Sequence, residues 1–304
     1  MGYAKSGDIS LYYEETGSCT PVIFVHEYAS DCRGWEAQVR FFSREFRCIT
    51  FNARGYPPSD VPQRAEQYGQ DHAAEDIGAV LDHLRIDRAF IVGLSMGAAA
   101  GLHFSMRHPE RVLGLVFASG GSGSDPATRD RFVAEALQAA DSLAAKGMQP
   151  LVDGASYGAT RVHLLNKDPR GWAEFRRHLS EHSPLGSELT VRNYQARRPS
   201  LFDFEEQLKK TQVPTLIVCG DEDDPVLETS LFIKRCMPAA GLCVVPKTGH
   251  AVNLEEPAVF NEHVYKFLSA VERGRWLARD HRAQRTRSAI IPDQHTEGSA
   301  SARP

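Results

Sequence analysis

The chain repeats one pattern that leaves few folds open: a short apolar run, a break of glycine, proline or polar residues, then a stretch whose apolar residues recur at helical spacing. The runs are Val22–Val25, FRCITF, Ala89–Leu94, Leu113–Ser119, Thr215–Gly220 and Gly241–Pro246. Continuous apolar runs of this length read as strands buried on both faces. Ala73, Ile77, Val80, Leu81 and Leu84 mark a helix between two of them, a second runs through Ser105, and a third lies around Ser230–Cys236. Residues 8–16, DISLYYEET, alternate like a further strand. Such succession predicts an α/β fold with a mostly parallel central sheet and helices on both faces. In sheets of this kind the site lies at the carboxyl ends of the strands.

Between Gly120 and about Lys210 the rhythm breaks and only helices are expected. Phe132, Ala136, Ala140 and Leu143 form one apolar stripe, and Trp172, Phe175 and Leu179 another. A helical insertion at the carboxyl ends of strands is placed to act as a lid. The expected division is a core of residues 1–121 and 207–272, with a helical cap of residues 122–206 inserted before the acid-bearing strand. Residues 273–304, arginine-rich and poor in apolar residues, read as a disordered, solvated tail.

The net charge of -4 and pI near 6.3 give no basic field for nucleic acid. No apolar run is long enough to span a bilayer, and the start does not resemble a signal peptide. Residues Met1–Ser6 match a myristoylation pattern only formally. A cytoplasmic protein with a small-molecule substrate and no membrane partner is expected, and a homo-oligomer is compatible with these features. The six cysteines show no CxxC or metal-like spacing, so reduced thiols, no metal and no cofactor are expected.

Gly93-Leu94-Ser95-Met96-Gly97 is a GxSxG between an apolar run and a helix, the setting in which that motif carries chemistry. A tight strand-to-helix turn exposes the hydroxyl of Ser95, and its small neighbours leave the turn unobstructed. The Met96 N–H, at the helix start, can point at a developing oxyanion. A serine needs a base. His72, His83, His103, His163, His178 and His263 lie on expected helices, whereas His250 follows the last strand on a glycine-containing loop. The acid that orients the imidazole should also follow a strand, which leaves Asp221, Asp223, Asp224 and Asp125 open.

FVHEYASDCRGW, FNARGYPPSD, GLSMG, GDEDDPV and GHAVNLEEP together resemble an α/β-hydrolase fold enzyme with a cap, over residues 8–270. The resemblance implies a Ser-Asp-His triad. Its acid stands three residues after the glycine that ends its strand, hence Asp223, and the second oxyanion donor is the N–H of Tyr28. Ser95 as nucleophile separates the chain from the epoxide hydrolases and haloalkane dehalogenases, which attack with an aspartate.

One residue departs from the pattern. Glu27 stands where most of the family has the glycine of a His-Gly pair. In related hydroxynitrile lyases a side chain at this position faces the catalytic serine. Glu27 is therefore expected either to enter the pocket, as an accessory acid or base or as partner to a substrate cation or a lid arginine such as Arg197 or Arg198, or to brace Tyr28 by bonding backbone N–H groups. Asn52, where the family more often has aspartate, is expected to be structural. The expected reaction is hydrolysis of a small carboxylic ester or lactone through an acyl-enzyme. The rivals are carbon-carbon hydrolysis or lyase chemistry with Glu27 doing proton work, and a non-enzymatic small-molecule receptor.

Overall fold

A computed structural model describes residues 1–284. Eight strands, β1 (Gly2–Ser6), β2 (Ile9–Thr16), β3 (Pro21–Val25), β4 (Arg47–Phe51), β5 (Ala89–Leu94), β6 (Val112–Ala118), β7 (Thr215–Gly220) and β8 (Ala240–Val245), form one sheet in the order β1-β2-β4-β3-β5-β6-β7-β8. Strands β3 to β8 pair in parallel; β1 and β2 run antiparallel at one edge.

Period-two alternation sorts each strand between two cores. Ile23, Val25, Ile49, Phe51, Ile91, Leu115, Phe117 and Ile217 face α2 (Gln70–His83), α3 (Met96–Arg107) and α10 (Asp224–Cys236). Val22, Phe24, Phe90, Val92, Val116, Leu216 and Val218 face α1 (Glu36–Phe42) and α12 (Pro257–Glu272), meeting Phe42, Phe260, Val264 and Phe267. Because both faces are covered, β5 and β7 are buried at every position and are apolar apart from Thr215, whose hydroxyl is satisfied by donating to Val213 O.

The segment between β6 and β7 is helical, as expected: α4 (Arg129–Lys146), α5 (Gln149–Tyr157), α6 (Val162–Lys167), α7 (Pro169–Ser180), α8 (Pro184–Thr190) and α9 (Glu205–Lys210). Ala140, Leu143, Met148, Val152, Leu164, Phe175, Leu179 and Val191 make a separate apolar cluster. Tyr28, Ala29 and Leu254 from the core loops pack against it, so this cluster extends onto the strand ends. Leu201 and Leu208 already belong to the core under the sheet.

Two elements differ from expectation. Strand β1 was not anticipated, and α10 begins at Asp224 rather than near Ser230, with Pro225 in its first turn, where a missing N–H costs nothing. The chain also stays on the core beyond residue 273. Trp276 Nε1–H donates to Ala239 O at 2.8 Å, its ring lies edge-on to Phe267, and Arg279 N–H donates to Pro238 O. The expected tail is thus corrected at its start; residues 285–304 lie outside the described residues.

Candidate active site

Ser95 sits where β5 turns directly into α3, with φ 52° and ψ −108°. A non-glycine residue at positive φ is strained and persists only when its surroundings enforce it. Ser95 N–H donates to Ala118 O at 2.8 Å, and Ser95 O accepts from Ala99 N–H at 3.1 Å. Neighbouring glycines make the turn possible: a Cβ on Gly97 would lie 2.1 Å from Val25 O, and one on Gly93 2.4 Å from Gly97 O. Any larger residue would push β5, α3 and the end of β3 apart. Met96 opens α3, so its N–H is one of the four that a helix start leaves without an internal partner.

His250 follows β8 and is buried against Asp223, with Nδ1 2.8 Å from Oδ2. Burial pulls the imidazole pKa down, but the charge and hydrogen bond of Asp223, aided by Glu27, outweigh it, so the net shift is upward. The other acids are occupied or remote. Asp221 is exposed and accepts from Thr248 N–H, Asp224 is exposed on α10, and Asp125 accepts from Ala127 N–H in its own turn. Sequence reasoning missed Glu255: its carboxylate accepts Gly249 N–H at 2.6 Å and Ala251 N–H at 3.0 Å, clamping the backbone on both sides of His250. The signal was present in the acidic pair of NLEEP, which the spacing argument did not use. Among the described residues no hydrogen bond joins Ser95 Oγ to His250; such contacts are often long before substrate binds.

The loop after β3 is held from several sides. Ala53 N–H donates to His26 Nε2 at 3.0 Å, which places the ring hydrogen on Nδ1, donating to Glu27 O at 2.7 Å. Burial lowers the His26 pKa, in keeping with this neutral form. Asn52 is structural: Oδ1 accepts Cys32 N–H and Nδ2 donates to Pro57 O. Tyr56 donates its hydroxyl to Tyr28 O at 2.7 Å, while the preceding peptide, which carries the Tyr28 N–H as candidate oxyanion donor, is held through Glu27 O by His26. Among the described residues that N–H has no partner.

Glu27 points into the cleft. Its Oε1 is 2.5 Å from Nη2 of Arg161, both side chains being only 2 to 3 % exposed, and its Oε2 is 3.9 Å from His250 Nε2. Arg161 Nη1 donates to Thr160 O, and the guanidinium lies 4.5 Å from the centre of the Phe175 ring. The arginine that pairs with Glu27 is thus neither Arg197, which is exposed, nor Arg198, which donates to Ser122 O. The alternative in which Glu27 braces the loop through backbone N–H groups is not realised; its partner is a side chain of the helical segment between β6 and β7. Nothing in the sequence around Arg161 advertises it.

Further pairs between the helical segment and the strand-end loops surround this one. Asp31, buried, bonds Arg33 and His182, and Arg33 reaches Glu181; Lys167 bonds Glu256, and His163 lies 3.1 Å from Glu222. Among the described residues no group of His, Cys, Asp and Glu is arranged to hold a metal ion, and no helix is long and apolar enough to cross a membrane.

The sequence model of the alpha/beta hydrolase fold matches residues 20–257. A putative 2-succinyl-6-hydroxy-2,4-cyclohexadiene-1-carboxylate synthase of Bacillus subtilis (strain 168) is 23% identical, covering 82% of this chain and 90% of its own. The 3-oxoadipate enol-lactonase 2 of Acinetobacter baylyi is 25% identical over 84% of this chain and 92% of its own. A thermophilic esterase from Thermogutta terrifontis superposes with a TM-score of 0.79 at 22% identity, covering 88% of this chain and 97% of its own. With the match extending over most of its length, and with an eight-stranded, mostly parallel sheet enclosed by helices, this chain belongs to the alpha/beta hydrolase fold family.

Proposed function

We propose that the protein is a serine hydrolase that cleaves a small carboxylic ester or lactone through an acyl-enzyme on Ser95. The observation that carries this reading is the buried Asp223–His250 hydrogen bond at the same sheet end as a serine on a strained strand-to-helix turn. With Asp223 on Nδ1, the imidazole presents Nε2 as the proton acceptor. Ser95 Oγ attacks the carbonyl carbon and loses its proton to His250 Nε2, which passes it to the leaving oxygen. The N–H groups of Met96 and Tyr28 receive the developing oxyanion, each such donor contributing about 3 to 4 kcal/mol of transition-state stabilisation. Water then hydrolyses the acyl-enzyme by the same route.

Residues 122–206 form the cap in this reading, closing over the strand ends through Arg161, His182 and Lys167. Relatives named as an esterase and an enol-lactonase fit this substrate class. Labelling with a fluorophosphonate tests it: wild type labels, Ser95→Ala does not, and equal labelling and turnover of the two would refute the serine mechanism. The proximity of Glu27 Oε2 to His250 Nε2 favours one second reading, carbon-carbon cleavage or lyase chemistry on the same triad. Absence of turnover on short-chain esters, together with esterase activity gained by Glu27→Gly, would select it.

A further inference from the structure

We infer that Glu27 positions the hydrolytic water, so that it acts in deacylation rather than in acylation. This rests on the acyl-enzyme reading above and assigns one more residue to one of its steps.

The His250 ring lies between two carboxylates. Asp223 Oδ2 is 2.8 Å from Nδ1, a direct hydrogen bond; Glu27 Oε2 is 3.9 Å from Nε2, too long for one. Polar groups separated by more than about 3.5 Å are candidates for a bridging water. Two bonds of about 2.8 Å from a single water, at its near-tetrahedral angle, put their acceptors about 4.5 Å apart. The observed 3.9 Å is shorter than that span, and a single water bridges it with its two bonds at about 90°.

The carboxylate is also fixed in direction. Arg161 holds Oε1, and Arg161 is itself held by Thr160 O and the Phe175 face, leaving Oε2 directed to the imidazole. Arg161 is a positioning residue acting through Glu27. A cavity of about 10 Å3 adjoins Glu27, bounded also by His26, Ser30, Trp35, Asn253 and Leu254 and not by His250 or Ser95. That is about the space of one water, and Asn253, whose buried Oδ1 has no partner, is one of its walls.

The two half-reactions make different demands. In acylation the proton reaching Nε2 comes from Ser95, which the turn already holds. In deacylation the nucleophile is a free molecule with two hydrogens, and neutral His250 can accept only one. A second acceptor for the other hydrogen turns the oxygen lone pair toward the acyl carbon. The water oxygen bonds to that carbon as one proton passes to Nε2. The carbon–Oγ bond then breaks, the Nε2 proton goes to Oγ, and the remaining proton stays on the product acid until release to solvent.

Stopped-flow hydrolysis of p-nitrophenyl butyrate by the full chain tests the assignment in wild type, Glu27→Gln and the double variant Glu27→Gln/Arg161→Gln. The double variant is included because the single one leaves Arg161 buried and unpaired. The expected result is a burst of p-nitrophenol followed by a steady rate about 10²-fold below wild type. Intact-mass measurement should show a butyryl adduct that Ser95→Ala lacks, and hydroxylamine, a stronger nucleophile than water, should restore turnover. The inference is overturned if burst and steady rates fall equally, if neither changes, or if no adduct accumulates in a folded variant. A wild type that never acylates at Ser95 instead refutes the serine-hydrolase reading, and the inference with it.

Discussion

Asp223 is separated from its neighbours by one physical fact: of the acids near β7 it alone is buried against the imidazole. Asp223→Asn is expected to lower kcat by about 10³- to 10⁴-fold, because the amide no longer favours the imidazole form that accepts at Nε2. Asp224→Asn, on the exposed start of α10, should stay within about twofold. The raised pKa of His250 fixes the sign of the pH profile. A general base works only when neutral, so kcat/KM should fall with an acid limb lying above pH 6.5. Glu27→Gln removes one of the charges that raise it, and the limb should move to lower pH; a limb that stays put would show that Glu27 does not act on His250. At this scale Ser95, His250 and Asp223 were legible as candidates because each follows a strand and carries a local pattern. The partner of Glu27 was not, since Arg161 lies 134 positions away in a stretch without a motif.

The elements around the site explain how the helical segment between β6 and β7 is seated on the strand ends. Burial disfavours the charge of Asp31, but hydrogen bonds from His182 and Arg33 hold its carboxyl well below the usual range. A depressed pKa stabilises the fold fully at pH above the unfolded value of about 4, and that contribution shrinks progressively as pH falls from there through the depressed folded value. The melting temperature gap between wild type and Asp31→Asn should therefore be widest above about pH 5 and narrow steadily below about pH 4. Helix α8 supplies a second test. Glycine to alanine inside a helix ordinarily gains up to about 1 kcal/mol. A Cβ on Gly186 would, however, sit 1.9 Å from Gly55 O, and overpacking of this kind costs about 1 to 3 kcal/mol. Gly186→Ala should lower the melting temperature, opposite to the helix-propensity expectation. The parallel strands were legible because burial on both faces leaves continuous apolar runs. Strand β1 was not, because GYAKS at a sheet edge buries only Ala4 and carries almost no pattern.

Across the whole molecule, the rhythm of runs and helices was enough to give the sheet and its two covered faces, and its interruption marked the helical segment between β6 and β7. The end of the core was misjudged because an arginine-rich composition hides one anchoring residue. Trp276→Ala should cost about 1 to 3 kcal/mol in denaturant unfolding, from lost contact with Phe267 and Gly241 and loss of one of the two hydrogen bonds that Ala239 O accepts, the other coming from Thr215 N–H. The meeting of Gly55 and Gly186 has a practical corollary for redesign. Where backbone rests on backbone there is no side chain to trade, so this seam is closed to evolutionary tinkering. Libraries seeking a new substrate range should leave both glycines untouched and diversify the stretch from α5 to α7, whose Leu151, Ala155 and Trp172 pack from the margin of the helical segment's apolar cluster.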